Sequence, residues 1–184
     1  TDTSVDLGEA DPYNEIAFDD SGWNSAEMGI GYADVAGTDP YDSFFGLDGD
    51  IQGEMDGVNS TVYIRVPFQL DDPLEVSTLL FSVRYDDGFG ISINGSPLLA
   101  SANPPVDGVW DYNAAANRSH SDTLAIALES FPINLAQVNL VAGTNILAVH
   151  GMNRSAGNSD FLFDCELLAQ INPAAGSALV YMTP

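Results

Sequence analysis

Residues 79–99, LLFSVRYDDGFGISINGSPLL, decide the fold. Phe81, Val83 and Tyr85 alternate with Ser82 and Arg84, and Phe89, Ile91 and Ile93 alternate with Gly90, Ser92 and Asn94. A period of two sends successive side chains to opposite faces, so the stretch predicts half-buried antiparallel strands. Asp87-Gly88 and Asn94-Gly95 suit tight reversals, because Asn and Gly tolerate the positive φ such turns demand. The expectation is a hairpin turning at Asp87-Gly88, with Asp86 and Asp87 serving the turn, and a second reversal at Asn94-Gly95.

Working outward, residues 61–70 (TVYIRVPFQL) alternate Val62, Ile64 and Val66 against Tyr63 and Arg65. Pro67 lacks a backbone donor, which places this strand near an edge or a bend. Residues 123–128, 131–135, 145–151 and 160–169 read as further strands, separated by Gly, Asn and Pro. With no long helical period, the pattern predicts an all-β fold, an antiparallel β-sandwich. Residues 1–18 read as an extension or first strand, 19–171 as the sandwich, and 172–184 as a linker or edge segment with one apolar patch at 179–182. Residues 100–122 form a long polar segment, and loops of that length tend to be functional.

The 184 residues suffice for one well-buried domain. Their charge is unbalanced: 27 acidic residues oppose four arginines, with no lysine, for a net charge of −23. Such a chain repels nucleic-acid phosphates and anionic membrane, and no apolar stretch is long enough to span a bilayer. The acidity fits either a solvated surface suited to saline surroundings or a set of calcium ligands. The N-terminus lacks the layout of a signal peptide, so the chain reads as a mature fragment or excised domain. The lone Cys165 shares parity with Phe161, Phe163 and Leu167 and reads as a small core residue.

For a hard cation the densest candidate is residues 47–56 (LDGDIQGEMD), where Asp48, Asp50, Glu54 and Asp56 stand among glycines. Asp39, Asp42 and Asp160 could add ligands. Sugar recognition needs an aromatic face for the C–H side of a pyranose, with hydrogen-bonding groups around it. Trp110 and Tyr112, on the long polar segment with Asp107, Asn113 and Arg118, meet that need, and Tyr41 with Phe44 and Phe45 forms a second aromatic group. Of the two histidines, His120 lies in RSHSD, an adjacent set that a fold seldom assembles into a triad. His150, in phase with Ile146 and Ala148, reads as a satisfied core histidine. With so many acids, no pair stands out as glycosidase carboxylates.

Several phrases together resemble one family. Asp19-Asp20-Ser21-Gly22-Trp23, Gly29-Ile30-Gly31-Tyr32, residues 62–68 (VYIRVPF), Tyr85-Asp86-Asp87-Gly88 with Ile93-Asn94-Gly95, residues 140–153 (LVAGTNILAVHGMN) and 159–167 (SDFLFDCEL) occur in an order similar to galactose-binding-like jelly rolls. The likeness includes the sugar-binding domain of family 2 glycoside hydrolases and related modules of large secreted bacterial proteins. It implies a jelly-roll sandwich, with Trp23 as an anchor at the sandwich edge. It further implies an extracellular module, often calcium-stabilised, linked to neighbouring domains and binding a polysaccharide or glycan without catalysis. A structural or adhesion spacer with no small ligand is the alternative, since a fold does not fix a function.

Overall fold

The structure, a computed structural model, describes residues 12–33, 40–172 and 178–182. The strands are β1 (Ile30–Tyr32), β2 (Thr61–Leu70), β3 (Val76–Asp86), β4 (Gly88–Ile93), β5 (Ala100–Ala102), β6 (Glu129–Ile133), β7 (Gly143–Met152), β8 (Phe161–Ile171) and β9 (Ala178–Met182). They form two antiparallel sheets, as the alternation predicts. One runs β1-β8-β3-β6 with β9 also on β8, and the other runs β2-β7-β4-β5. Two one-turn helices, α1 (Gln52–Met55) and α2 (Asp122–Ala125), sit in the connections. Among the described residues no helix is long and apolar enough to cross a membrane.

Inward-facing side chains from both sheets make one core: Val62, Ile64 and Val66 of β2, Phe81 and Val83 of β3, Phe89, Ile91 and Ile93 of β4, and Phe161, Phe163 and Cys165 of β8. Phe81, Phe89 and Phe163 meet across the sandwich as tilted or edge-on ring pairs, with Phe81–Phe89 centroids 5.7 Å apart and Phe89–Phe163 centroids 5.9 Å apart. That geometry suits the aromatic quadrupole, and truncating one such ring costs about 3–5 kcal/mol. Pro67 lies on β2, which among the described residues pairs with β7 alone and so closes its sheet as an edge strand.

The hairpin expected at Asp87-Gly88 does not form. β3 pairs with β8 and β6 in one sheet, whereas β4 pairs with β7 and β5 in the other. The chain crosses between the layers at residues 86–88, through a cis Asp86–Asp87 peptide. The in-phase alternation of Phe81, Val83 and Tyr85 with Phe89, Ile91 and Ile93 suits a hairpin and a crossing equally, because both bury the same set. Gly88 is there for space: a Cβ would stand 2.8 Å from the Asn103 carbonyl oxygen and 3.0 Å from the Ala116 Cβ. The Asn94-Gly95 reversal does form, with φ of 51° and 73° and the Ser96 amide donating to the Ile93 carbonyl at 2.9 Å.

Residues 123–128 are not a strand. α2 opens there with the Leu124 and Ala125 amides donating to the Ser121 carbonyl, and Ala125 is buried against Tyr41 and Leu162. The strand expected at 131–135 is β6, and the long polar segment contributes β5. The apolar patch near the C-terminus pairs with β8 as β9, on the edge that β1 shares further along.

Candidate functional site

Antiparallel pairing of β3 with β8 sets Asp86 opposite Leu162, which brings the end of β3 beside Asp160 at the approach to β8. α2, tied to β3 where Arg84 Nε donates to the Ile126 carbonyl at 3.1 Å, adds Asp122. One carboxylate oxygen from each of Asp86, Asp122 and Asp160 lies within 4.8 Å of the others. Asp86 is 2% exposed, its Oδ2 accepts from the Tyr41 hydroxyl, and its Oδ1 is buried with no partner. Burial is the largest cause pushing the Asp86 carboxyl up to about 10, with the neighbouring Asp87 and Asp160 acting in the same direction and the Tyr41 hydroxyl opposing them. The Tyr41 phenol is itself driven upward by burial and by the charges of Asp86, Asp160 and Asp122.

Asp87 is fully engaged, by contrast. Its Oδ1 accepts from the His120 amide at 2.8 Å, and its Oδ2 accepts from the Arg154 amide at 2.8 Å and Asn158 Nδ2 at 3.2 Å. A buried carboxyl oxygen left bare is costly, and without a cation the group is relieved by holding its proton; a cation that meets the oxygens would take the proton's place. Oxygens bound to one calcium at 2.3–2.6 Å stand within about 5 Å of one another. The all-oxygen set at Asp86, Asp122 and Asp160 therefore fits a hard divalent cation and could hold one.

In the acidic loop at residues 47–56 the carboxylates are not brought together in this way. Asp48, Asp50 and Glu54 point to solvent, Asp50 Oδ1 accepts from the Gln52 amide at 3.0 Å, and Asp56 Oδ2 accepts from Gln52 Nε2 at 3.2 Å. Among the described residues, Asp86, Asp122 and Asp160 form the group whose ligand atoms converge, and Asp48, Asp50, Glu54 and Asp56 belong to no such group. Asp50 and Asp56 hydrogen-bond locally to Gln52, and Met55 on the same loop is fully buried in the core. Asp39 lies outside the described residues. Tyr41, expected to offer a ring to a sugar, is 0% exposed, so no face of it is open to solvent.

Part of the long polar segment, around Trp110, lies over the outer face of the second sheet. The Ser60 hydroxyl donates to the Ala114 carbonyl at 2.8 Å, the Thr61 hydroxyl donates to the Tyr112 carbonyl, and the Ala116 amide donates to the Asn153 carbonyl at 2.9 Å. Trp110 is thereby laid over a cross-strand row formed by Tyr63, His150 and Gly90. The missing side chain at Gly90 makes the room: a Cβ there would stand 2.5 Å from Trp110 Cζ3. The indole meets the His150 ring edge-on at 5.6 Å, His150 meets Tyr63 at 4.7 Å, and Tyr63 meets Tyr13 at 4.6 Å. Beside the indole opens a cleft of about 190 Å³, also bordered by Ser92 and Leu98. Tyr112, Asp107, Asn113 and Arg118 are exposed on the same loop; Arg118 Nε donates to Asn103 Oδ1 at 2.6 Å.

His150 is neither in the core nor satisfied: the core takes Leu147 and Val149, His150 lies on the opposite face beneath Trp110, its Nε2 has no partner, and burial lowers its pKa to about 3. His120 has both ring nitrogens occupied. Nδ1 donates to the Tyr85 carbonyl at 2.8 Å, Nε2 faces Glu129 at 3.3 Å, and the ring stacks on Tyr85 at 4.1 Å. Arg84 pairs with Asp164 at 2.8 Å. Trp23 is half-buried and packs edge-on against Phe18 at 5.5 Å.

Fold and site together define an all-β sandwich with a cation-competent carboxylate cluster at a sheet crossing and an aromatic cleft on one outer face. No family model matches the chain, and no curated protein is significantly similar to it. Solved structures with partial likeness include two of different kinds. One is the alpha-L-rhamnosidase of Streptomyces avermitilis, complexed with L-rhamnose, at a TM-score of 0.42 and 15% identity over 67% of this chain and 10% of that one. The other is the PA14 domain of the MpAFP antifreeze protein, at a TM-score of 0.39 and 18% identity over 87% of this chain and 70% of that one. The chain thus spans about a tenth of the rhamnosidase's length.

Proposed function

We propose that this chain is a non-catalytic carbohydrate-binding module of galactose-binding-like type, stabilised by calcium at Asp86, Asp122 and Asp160. It serves within a larger extracellular protein, linked to neighbouring domains, and its partner is a polysaccharide or glycan. The observation that carries this reading is the Trp110 cleft, where an aromatic face borders hydroxyl and imidazole groups. A pyranose stacks its apolar C–H face on such a ring and spends its hydroxyls on the surrounding polar atoms. Tyr112, Asp107, Asn113 and Arg118, exposed on the loop that carries the indole, are placed to meet a longer glycan outside the cleft. Calcium contributes by meeting the bare Asp86 oxygen and by joining β3, α2 and the approach to β8, which steadies the layer crossing.

A glycan-array screen of the purified chain, run in calcium and again in chelator, tests this. Binding to one sugar class that Trp110→Ala abolishes supports the module. A blank in both buffers with the protein folded supports the alternative, a spacer in which Trp110 acts only as a plug. The packing of Trp110 against Ala114, Ala116 and Met152 favours that second reading.

A further inference from the structure

We propose that residues 13–23 form a latch that opens from the outer face of the second sheet while the sandwich stays folded, and that Arg65 is its catch. The latch sets the extent of the Trp110 cleft whatever ligand the cleft takes, so the inference stands apart from the carbohydrate reading.

Strand register defines what the latch covers. Val62, Ile64 and Val66 of β2, Leu147 and Val149 of β7, and Ile91 and Ile93 of β4 point into the core. Side chains alternate along a strand, so Tyr63, His150 and Gly90 make one outward row, and Arg65, Ala148 and Ser92 make the next. Trp110 lies over the first row. The second row holds two small residues, and its Ala148 is fully buried. The turn at Pro12–Asn14 touches both β2 and β7, and Tyr13 and Asn14 border the cleft beside Ser92. Ala148 thus sits between Arg65, which the strap caps, and the strap's edge of the cleft.

Little else holds the strap. No side chain between 13 and 23 is fully buried: Tyr13, Asn14, Phe18 and Trp23 are half-buried and the rest are exposed. The Gly95 amide donates to the Asn14 carbonyl at 2.8 Å, and Tyr13 packs on Tyr63. Arg65, with a side chain 4% exposed, supplies the larger grip. Its Nε donates to Asp20 Oδ2 at 2.8 Å, and its Nη1 donates to the Tyr13 carbonyl and, at 2.8 Å, to the Glu15 carbonyl. Its Nη2 faces the Phe18 carbonyl at 3.5 Å, and the guanidinium lies 5.2 Å from the Phe18 ring centroid. Among the described residues, every hydrogen bond of this guanidinium ends on the strap. A segment with few buried apolar groups opens more readily than the core, and here one planar fork fixes most of it. Opening takes Tyr13 and Asn14 out of the cleft wall, and the cleft of about 190 Å³ becomes one end of a groove that runs on to Arg65. Arg65 is therefore a positioning residue for the cleft.

The test is thiol labelling of the intact, folded chain with iodoacetamide, read by mass spectrometry at each cysteine. Ala148→Cys puts a thiol under the latch. Cys165, buried in the core, reports opening of the whole sandwich. The introduced thiol should react about tenfold or more faster than Cys165, because it needs only the local opening. Asp20→Asn, which breaks a half-exposed ion pair, should speed it a further two- to fivefold or so. Arg65→Lys, whose compact ammonium cannot reach the same acceptors, should speed it about tenfold or more. Val83→Ala weakens the core alike with the latch open or shut, so it should speed Cys165 and leave the introduced thiol unchanged. Two thiols that react at one rate in every variant would overturn the latch. So would an introduced thiol that reacts fast but ignores Asp20→Asn and Arg65→Lys, since the Trp110 loop would then be the part that opens. If Arg65→Lys does not fold, Asp20→Asn decides alone. No arm of the test uses a sugar, so its failure leaves the module reading standing.

Discussion

The chain contains two groups of acidic residues that look alike on paper and differ in space. Asp48, Asp50, Glu54 and Asp56 crowd into nine residues, yet their carboxylates face water or a neighbouring amide. Asp86, Asp122 and Asp160 are separated by dozens of residues, yet their oxygens converge around a buried carboxyl with a bare atom. A cation site is made by convergence and burial, and local acid density measures neither. In the first group the structural work is done by Met55, an apolar residue inside an acidic phrase.

The sharpest way to break this comparison is Met55→Ala. Truncating a fully buried methionine should cost about 2–5 kcal/mol, read by urea unfolding, whereas Asp50→Asn should stay within about 0.5 kcal/mol. Equal costs would mean that the loop depends on its acids after all. Next in size, calcium at a hundred times its Kd should stabilise the fold by about 2.7 kcal/mol. For a chain of this length that raises Tm by roughly 5–10 °C. Asp160→Asn should remove the rise and Asp50→Asn should keep it; the reverse pattern would return the cation to the acidic loop.

The other bare buried atom gives a third test. The pKa of His150 lies near 3 in the folded chain, against about 6.5 when unfolded. The unfolded state therefore binds the proton more readily, and the contribution of the neutral imidazole is complete above pH ~6.5 and lost as pH falls toward ~3. Subtracting the pH–stability curve of His150→Phe should expose that acid-side slope, and parallel curves would show that His150 is not held neutral. The smallest effect belongs to the exposed acids. Raising sodium chloride from about 0.01 M to about 1 M should stabilise the fold gradually by screening their repulsion. A flat response would show that the net charge of −23 is already locally compensated.

Much of the sandwich was legible because the core takes alternate residues: Val62, Ile64 and Val66 of 61–70 and Phe161, Phe163, Cys165 and Leu167 of 160–169 enter it as their alternation implies, and Pro67 marked an edge. Residues 145–151 are buried on both faces, so their pattern does not say that Leu147 and Val149, rather than Ile146, Ala148 and His150, face the core. What could not be read was which strand pairs with which. Crossing and hairpin bury the same side chains of β3 and β4, so Asp86 and Asp87 passed for turn residues. The meeting of Asp86 with Asp160 exists only through the β3–β8 register, and Asp160 entered the sequence reading merely as an addition to the acidic loop. Residues 123–128 misled for a related reason. A short apolar run carries no period long enough to separate one helical turn from a strand. Trp110 was legible as an exposed-loop aromatic, but its seat over Gly90 and His150 depends on three strands lying side by side.

Gly90 carries a last consequence, and it concerns descent more than mechanism. The space beneath the indole exists because position 90 ends in a hydrogen atom. The atoms nearest an added methyl are the outer ring of Trp110 and the tip of Leu98, both side-chain ends that can yield. A lineage could therefore lose or regain the cleft in one substitution while the core of Phe81, Phe89 and Phe163 stays as it is. On this scaffold an open cleft and a filled one are neighbours in sequence space, one methyl group apart.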